Sequence, residues 1–346
     1  MIATTKNHNI FVLASSAGGI ETLKTIISRL PADFPGSIFI TQHTSPLSRK
    51  CYLTEILQRY GKLTCVTAED HQSINPGRIY IAPPDNHLLI RDDHIHTSRG
   101  PKENHSRPAA DPMFRSAAAS HGGRVVGIVL TGYLDDGSSG LLTVKSCGGK
   151  TVVQDPLDAI VPDMPTNAMS YTTPDFVAPA AGMATVMCEL AATEAGPSNT
   201  PSQAVLAELK FIESFNSDIA AEEFLGHLSP FMCPDCNGQL WRSEVDAVPR
   251  FRCHVGHGHT MRSLIEAQRD ASERSAWATL RTLKEQVATM HLMAEHERQL
   301  GNVEVSESYL RRARIAETRA RHLRNSFETF ERLEPNETPE QSSQTT

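Results

Sequence analysis

The sequence contains no apolar run of the roughly 18 residues that are needed to cross a membrane. Its polar start, residues 1–9, lacks the charged-then-apolar layout of a secretory signal. Lysine and arginine total 33 against 40 aspartates and glutamates, so the net charge of −7 excludes a chain-wide basic surface for nucleic acid. The 7 cysteines are not spaced as a disulfide framework. These absences favour a cytoplasmic protein that neither inserts into a membrane nor binds nucleic acid.

Short apolar runs are present, and they alternate with helix-length stretches through residues 1–190. Hydrophobic residues make up 39% of the 346 residues, which is enough to bury a core. The runs 10–13, 38–40 and 125–130 are continuous, as in strands that are covered on both faces. Strand–helix alternation is typical of parallel sheets with right-handed crossovers. We therefore predict an α/β fold with a doubly wound, mostly parallel sheet for residues 1–190.

The composition changes after Leu190 and predicts several smaller segments. Residues 191–229 are predicted to be a linker, because 193–203 is rich in Pro, Gly, Ser and Thr. Within it, 204–228 is compatible with either a helix or a strand. Residues 230–260 are rich in Cys and His and predict a zinc-ribbon-like module. Apolar periodicity predicts an antiparallel helical hairpin over 261–333 with a connection at 301–306, and 334–346 is predicted to be a disordered tail.

Polar side chains follow the predicted strands at the edge where ligands bind in open parallel sheets. Ser15 and Ser16 follow the first strand, His43 follows the second, and Asp135 and Asp136 follow the third. A serine, a histidine and an aspartate at one edge are a nucleophile, its general base and the carboxylate that orients the base. Spacing alone does not separate Ser15 from Ser16, or Asp135 from Asp136.

The glycines that follow the candidate serine favour the same chemistry. Gly18 and Gly19 allow a substrate to approach backbone N–H groups at a helix N-terminus, where a developing oxyanion is stabilised. A tight turn or a phosphate-binding turn is the alternative interpretation of this segment.

At these residues the sequence resembles the catalytic domain of chemotaxis protein-glutamate methylesterases of the CheB type. The resemblance covers residues 8–190. The matching segments are 13–19 (LASSAGG), 41–43 (TQH), 76–83 (PGRIYIAP), 107–114 (RPAADPMF) and 130–140 (LTGYLDDGSSG).

This resemblance implies a role for each residue of the site. Ser16 is implied as the nucleophile, His43 as the base and Asp136 as the acid, while the backbone N–H groups of Tyr133 and Ala17 would hold the oxyanion. The implied enzyme is a hydrolase without a catalytic cofactor. It removes methyl esters from glutamates, and deamidates glutamines, on chemoreceptor-like proteins in chemotaxis signal transduction.

The sequence departs from the family pattern at several points. Ala17 stands where the family often has Thr, and Tyr133 and Leu134 stand where Met and Gly are common. We expect that no receiver domain precedes the first strand, and therefore that the enzyme does not depend on phosphoryl donors and is either constitutive or controlled by its C-terminal part. A regulatory or scaffold protein that retains the fold without catalysis is the alternative.

The cysteine-rich segment has the spacing of a zinc-ribbon knuckle. The predicted ligands are Cys233, Cys236, Cys253 and His257. His254 and His259 compete for the fourth position, and free thiols are the alternative to a metal. A closed set of four ligands predicts a structural zinc, so we expect ester hydrolysis by residues 8–190 to survive its removal.

The C-terminal helices carry mixed charge, with arginines such as Arg311 and Arg319 balanced by glutamates. A solvated helix face is the favoured interpretation. A docking surface for a signalling-complex partner is the alternative, and the methylated chemoreceptor-like protein is the predicted substrate.

Overall fold

The computed structural model describes residues 7–44, 51–213, 226–245 and 248–333. The predicted tail, 334–346, and residues 214–225 of the predicted linker lie outside the described residues. The chain divides into two compact units, Met1–Ala267 and Gln268–Thr346.

The first unit contains a parallel sheet and a separate antiparallel hairpin. Their strands, in chain order, are β1 (Ile10–Ser15), β2 (Ser37–Gln42), β3 (Thr64–Thr67), β4 (Arg78–Ile81), β5 (His87–Arg91), β6 (His94–Ser98), β7 (Val125–Val129), β8 (Lys150–Gln154) and β9 (Phe176–Ala178). Within the described residues the parallel sheet has the order β3-β4-β2-β1-β7-β8-β9, and β5 pairs with β6. The predicted α/β fold with a mostly parallel sheet is therefore confirmed.

Helices cover both faces of this sheet. They are α1 (Gly19–Arg29), α2 (Tyr52–Tyr60), α3 (Ala110–His121), α4 (Ser138–Ser146), α5 (Asp163–Tyr171) and α6 (Ala180–Ala192), with a short 3₁₀ turn at Gly122–Arg124. Alternate residues of β1 point to opposite faces: Phe11 packs in the core that includes α1 and α6, whereas Val12 packs in the core that includes α3 and α4. Burial on both faces explains why the strands are continuous apolar runs in the sequence.

A helix occupies part of the segment that the sequence predicts to be a linker. This helix, α7 (Gln203–Glu213), buries Val205 and Leu209 against Ala119 of α3. Its apolar residues recur at helical spacing, and the structure adopts the helix rather than the strand that the sequence also allowed.

A second, antiparallel sheet follows, which we call the ribbon sheet. Its strands are β10 (His227–Met232), β11 (Gln239–Val245), β12 (Val248–Cys253) and β13 (Gly258–Thr260), in that order. The main chain of β13 is hydrogen-bonded to the loop that precedes α3: Gly258 N donates to Lys102 O over 3.0 Å, and Asn104 N donates to Gly258 O over 2.8 Å. The ribbon sheet therefore belongs to the same unit as the parallel sheet.

Two long helices, α8 (Met261–Gln299) and α9 (Val303–Leu333), complete the described chain. They run antiparallel, since Ser306 Oγ donates to Ala294 O over 2.7 Å and His291 lies 3.7 Å from Glu317. Their connection is shorter than the predicted 301–306, because α9 already begins at Val303. Gly301, at φ +83°, makes the tight turn possible. None of the helices in the described part of the chain is both long and apolar enough to span a membrane.

Candidate active site

The parallel sheet brings the predicted serine, histidine and aspartate to one edge. Strand β1 lies between β2 and β7, so their carboxyl ends are neighbours. Ser16 and His43 follow the register pair of Ser15 and Gln42, and His43 N donates to Ser15 O over 3.0 Å. The chain that leaves β7 runs beside Ser16, whose N–H donates to Thr131 O over 2.9 Å.

The two candidate serines have different surroundings. Ser15 is buried, and its hydroxyl donates to Gln42 Oε1 over 2.7 Å. Ser16 is half-buried, and its carbonyl accepts from Gln42 Nε2 at 2.8 Å and from Gly19 N at 3.0 Å. Gln42 therefore fixes the turn that presents Ser16, while the Ser15 hydroxyl is already engaged in holding Gln42.

Two glycines allow the close packing around Ser16. A Cβ atom at Gly132 would lie 2.6 Å from Ser16 Cβ and 2.2 Å from Met164 Sδ, far inside van der Waals contact. Gly18, which precedes α1, has φ +78°, a left-handed conformation that glycine adopts without strain. The backbone of the turn after β7 can therefore approach the Ser16 side chain directly.

The histidine is paired with the second of the two aspartates. His43 Nε2 lies 2.7 Å from Asp136 Oδ2, and the two side chains are 18% and 2% exposed. This pairing leaves Nδ1 as the ring nitrogen that would accept a proton from a nucleophile.

The Asp136 carboxylate is fully engaged by donors. Besides His43, Oδ2 accepts from Ala110 N at 2.6 Å, and Oδ1 accepts from Asn104 Nδ2, Asp111 N and Gly137 N at 2.9, 3.2 and 3.0 Å. Burial acts to raise the pKa of Asp136, but the hydrogen bond and charge of His43 together with the other donors hold this pKa below its ordinary value. The carboxylate therefore stays ionised beside the histidine.

Asp135 has different partners. It accepts from Thr260 Oγ1 at 2.9 Å and from the Tyr171 hydroxyl at 3.3 Å. Burial raises the pKa of Asp135 to about 6, and the nearby Asp111 and Asp136 charges act in the same direction. Asp136, rather than Asp135, is thus the aspartate that contacts His43.

The predicted oxyanion donors lie in the turns on either side of Ser16. Ala17 follows Ser16 directly, and its carbonyl accepts from Thr131 Oγ1 at 2.9 Å. Tyr133 follows Gly132 and exposes 62% of its surface, so its side chain is not needed to fill the core. Leu134 has φ +64°, a left-handed conformation in which a Cβ is strained, which gives a physical reason for the glycine that is common there in the family.

The four predicted metal ligands lie together in the ribbon sheet. The ligand atoms of Cys233, Cys236, Cys253 and His257 all lie within 4.8 Å of one another. Cys236 Sγ is 3.6 Å from Cys253 Sγ, and His257 Nδ1 is 3.6 Å from Cys253 Sγ. A tetrahedral zinc with Zn–S bonds of about 2.3 Å has ligand–ligand edges of about 3.8 Å, so this donor set fits zinc.

The two competing histidines are placed outside this group of four. His254 lies beside Trp241, with ring centroids 6.1 Å apart. His259 Nε2 is 3.9 Å from Cys233 Sγ and 3.6 Å from Asp235, so it forms a second possible group with those residues.

Several residues that support the site were not identified from the sequence. Asn104 contacts Asp136 through its side-chain amide, and Asp111 contacts it through its backbone N–H. Gln42 donates a hydrogen bond to the Ser16 carbonyl. Gln42 and Asp111 lie inside the TQH and RPAADPMF segments, which was a usable signal. Asn104 lies in a loop outside those segments, and its left-handed backbone, at φ +49°, has no sequence signature beyond the tolerance of Asn for this conformation.

Comparisons with known proteins concern the parallel-sheet part of the chain. The sequence profile of the CheB methylesterase family matches residues 11–187. A solved structure, the CheB methylesterase catalytic domain of Thermotoga maritima, superposes with a TM-score of 0.50 at 33% identity and covers 53% of this chain and 98% of that one.

Curated relatives match the same region. One from Leptospira interrogans is 38% identical over 172 residues, which are 49% of this chain and 89% of the relative. One from Maricaulis maris, named protein-glutamate methylesterase/protein-glutamine glutaminase, is 40% identical over 165 residues, which are 46% of this chain and 41% of the relative. One from Hydrogenovibrio crunogenus has the same name and is 36% identical over 177 residues, 50% of this chain and 46% of the relative.

Proposed function

Because the chain belongs to the CheB methylesterase family, we propose that it is a serine esterase that hydrolyses glutamate methyl esters on chemoreceptor-like proteins and deamidates glutamines. The relatives that bear the double name protein-glutamate methylesterase/protein-glutamine glutaminase support the enzyme class. The observation that carries the proposed mechanism is the 2.7 Å contact of His43 with the buried Asp136, beside the half-buried Ser16.

The first half of the reaction forms an acyl-enzyme. His43 Nδ1 takes the proton of the Ser16 hydroxyl, and Ser16 Oγ attacks the ester carbonyl carbon. Asp136 stabilises the imidazolium and fixes the tautomer through its contact with Nε2. The N–H groups of Ala17 and Tyr133 hold the oxyanion until the C–O bond breaks and methanol leaves with the proton from His43.

The second half releases the product. Water gives a proton to His43 and attacks the acyl carbon. The Ser16 Oγ–carbon bond then breaks as His43 returns that proton to Ser16 Oγ, and the glutamate carboxylic acid that is released ionises at neutral pH. A glutamine side chain follows the same course, with ammonia instead of methanol as the leaving group. None of these steps uses a cofactor.

The cysteine cluster is proposed to hold a structural zinc. Three thiolates and one imidazole are a donor set that zinc prefers, and four protein ligands leave no open position for water or substrate. When bound, the metal would supply folding free energy to the small ribbon sheet, whose own core contains few apolar side chains.

Methanol release from a methylated receptor fragment tests the proposed function. The 346-residue chain should release methanol, and Ser16→Ala should reduce the rate by several orders of magnitude. Ser15→Ala is the matched control: it removes the hydrogen bond to Gln42 Oε1, but Gln42 Nε2 still donates to the Ser16 carbonyl, so the rate should fall far less than in Ser16→Ala. Methanol release that persists in Ser16→Ala would contradict the assignment of Ser16 as the nucleophile. A wild-type protein that binds the fragment without hydrolysing it would favour the alternative of a non-catalytic scaffold protein.

A further inference from the structure

Two of the residues that hold Asp136 are themselves held by residues from the C-terminal part of the first unit. Asn104 donates through Nδ2 to Asp136 Oδ1 at 2.9 Å, and Asp111 donates through its backbone N–H at 3.2 Å. Asn104 lies before α3 and Asp111 lies in its first turn. Each is hydrogen-bonded to residues that follow position 249 in the chain. The support of the candidate triad therefore extends beyond the region that matches the family.

Asn104 lies between two sets of partners that fix its amide. On one side, Nδ2 donates to the carboxylates of Asp136 and Asp111. On the other side, Oδ1 accepts from Thr260 N at 3.2 Å and from Ser263 Oγ at 3.1 Å. Thr260 ends β13, and its hydroxyl accepts from Ser263 N, as a helix-capping residue does. Residues at the start of α8 therefore hold the Asn104 amide in place.

Asp111 is held from the ribbon sheet by an arginine. Its Oδ2 accepts from Arg250 Nη1 at 2.8 Å, while Oδ1 accepts from Gly137 N and Gly140 N at 3.1 and 2.7 Å. Asp111 and Asp136 are buried carboxylates that share Asn104 as a donor, and they would repel each other without a compensating cation. Arg250 supplies that positive charge from β12.

The same arginine belongs to a buried ion cluster that joins the ribbon sheet to α3, α7 and the loop before α3. The members are Glu103, Asp111, Arg115, Glu208, Arg250 and Arg252, all of which are buried. Glu103 accepts from Arg115, Arg250 and Arg252 at 2.7–2.8 Å, and Arg252 also pairs with Glu208. Three carboxylates thus meet three guanidinium groups. Loss of the two ribbon arginines would leave buried carboxylates without enough partners, which costs more than the pairing itself gains.

We propose that the ribbon sheet and the start of α8 position the triad carboxylate, with Arg250 acting on one side of Asp136 and Ser263 on the other. Arg250 acts through Asp111, and Ser263 acts through Asn104. These residues touch neither substrate nor the reacting atoms, so they are positioning residues. The inference rests on the proposed triad and assigns the C-terminal strands a part in ester hydrolysis, in place of the expected independence.

The test uses the 346-residue chain and a small carboxylic ester, with active sites counted by titration with a serine-directed fluorophosphonate. Arg250→Gln should lower kcat per titrated site by about 10–100-fold, as changes to residues that orient a functional group do, while KM stays within about twofold. The acidic limb of its pH–rate profile should move to higher pH, because a cation close to the Asp111 and Asp136 carboxylates is lost. The other charged or titratable groups around these two carboxylates are His43, His87 and Asp135 on the triad side, and Glu103, Arg115, Glu208 and Arg252 on the ribbon side.

Arg250→Lys and Ser263→Ala keep the test decisive where Arg250→Gln does not fold. Lysine retains the charge but cannot contact Asp111 and Glu103 together, so kcat should recover only in part while the acidic limb returns to its wild-type position. Ser263→Ala retains every charge and should lower kcat several-fold without moving the limb. The controls are Arg242→Gln, on the exposed side of β11, and Ser229→Ala, whose hydroxyl donates to Leu240 O within the ribbon sheet.

Arg250 and Ser263 variants with wild-type kcat per titrated site, alongside an inactive Ser16→Ala, would overturn this inference alone. Ester hydrolysis that persists in Ser16→Ala would overturn the proposed triad and the inference with it. A lower kcat per site in the Arg250 and Ser263 variants but not in the two controls supports the inference.

Discussion

Replacing Asp136 by asparagine tests the hydrogen-bond pattern of the candidate triad most closely. Both carboxylate oxygens accept from N–H donors, so an amide NH₂ group at either place faces at least one donor. The arrangement that loses fewer hydrogen bonds puts this NH₂ in the place of Oδ2, where it faces the backbone N–H of Ala110 and the Nε2 of His43. In that arrangement His43 must change tautomer and carry its proton on Nδ1.

The expected effect has two separate parts. His43 with a proton on Nδ1 cannot accept the Ser16 proton, so kcat should fall by about 10⁴-fold, the size known for a triad histidine held in the wrong tautomer. The Ala110 N–H loses its acceptor in a buried position, which costs about 1–3 kcal/mol in the free energy of unfolding. The lost carboxylate charge does not offset this cost, because a folded-state pKa below the ordinary value means that the ionised form stabilises the fold at neutral pH.

Two assays separate these parts. Urea-induced unfolding at pH 7 measures stability, and hydrolysis of a small ester per titrated active site measures kcat. Asp135→Asn is the matched control, since its partners Thr260 and Tyr171 are hydroxyl groups that can exchange donor and acceptor roles. A variant at position 136 that retains kcat within about tenfold would refute the assignment of the acid. Unchanged stability would refute the role of the Ala110 contact.

The remaining predictions concern pH, packing and the metal. The raised pKa of Asp135, about 6 against an ordinary 3.8, means that its contribution to stability falls as the pH rises from about 4 to about 6. Relative to wild type, the unfolding free energy of Asp135→Asn should therefore rise by about 3 kcal/mol between these two pH values. Urea titrations that give the same difference in unfolding free energy between variant and wild type at both pH values would contradict this. Gly132→Ala places a Cβ 2.6 Å from Ser16 Cβ, so ester hydrolysis should fall by about 100-fold or more, as measured per titrated site. A chelator should release about one zinc per chain, make Cys233, Cys236 and Cys253 reactive to a thiol reagent and lower kcat for a small ester. Thiol exposure with unchanged kcat would show that the ribbon sheet and the active site are independent.

The parallel sheet and its polar edge could be predicted because local signals suffice for them. Apolar runs covered on both faces identify β1, β2 and β7, and parallel pairing then places the residues after them at one edge. The family pattern chose between Ser15 and Ser16, and their different contacts with Gln42 are in keeping with that choice. The cysteine and histidine spacing was equally informative, since chelating turns need only a few residues.

The contacts of the ribbon sheet with α3 and the loop before it could not be predicted in this way. Arg250 and Glu103 are 147 residues apart. Glu103 stands in a polar stretch, and nothing in the segment around Arg250 marks a charged side chain as buried. Charged residues are normally exposed, so sequence reasoning assigns them to the surface unless a partner is known. The expectation that ester hydrolysis by residues 8–190 is independent of the C-terminal part arose from that gap. The buried ion cluster is the observation on which our opposing inference rests.

The most direct measurement of the central claim is covalent labelling of the 346-residue chain with a serine-directed fluorophosphonate, followed by peptide mapping. The proposed triad predicts one adduct per chain on Ser16, with labelling much slower in His43→Ala and Asp136→Asn. An adduct on Ser15 or on another serine, or labelling of Ser16 at the same rate without His43, would contradict it.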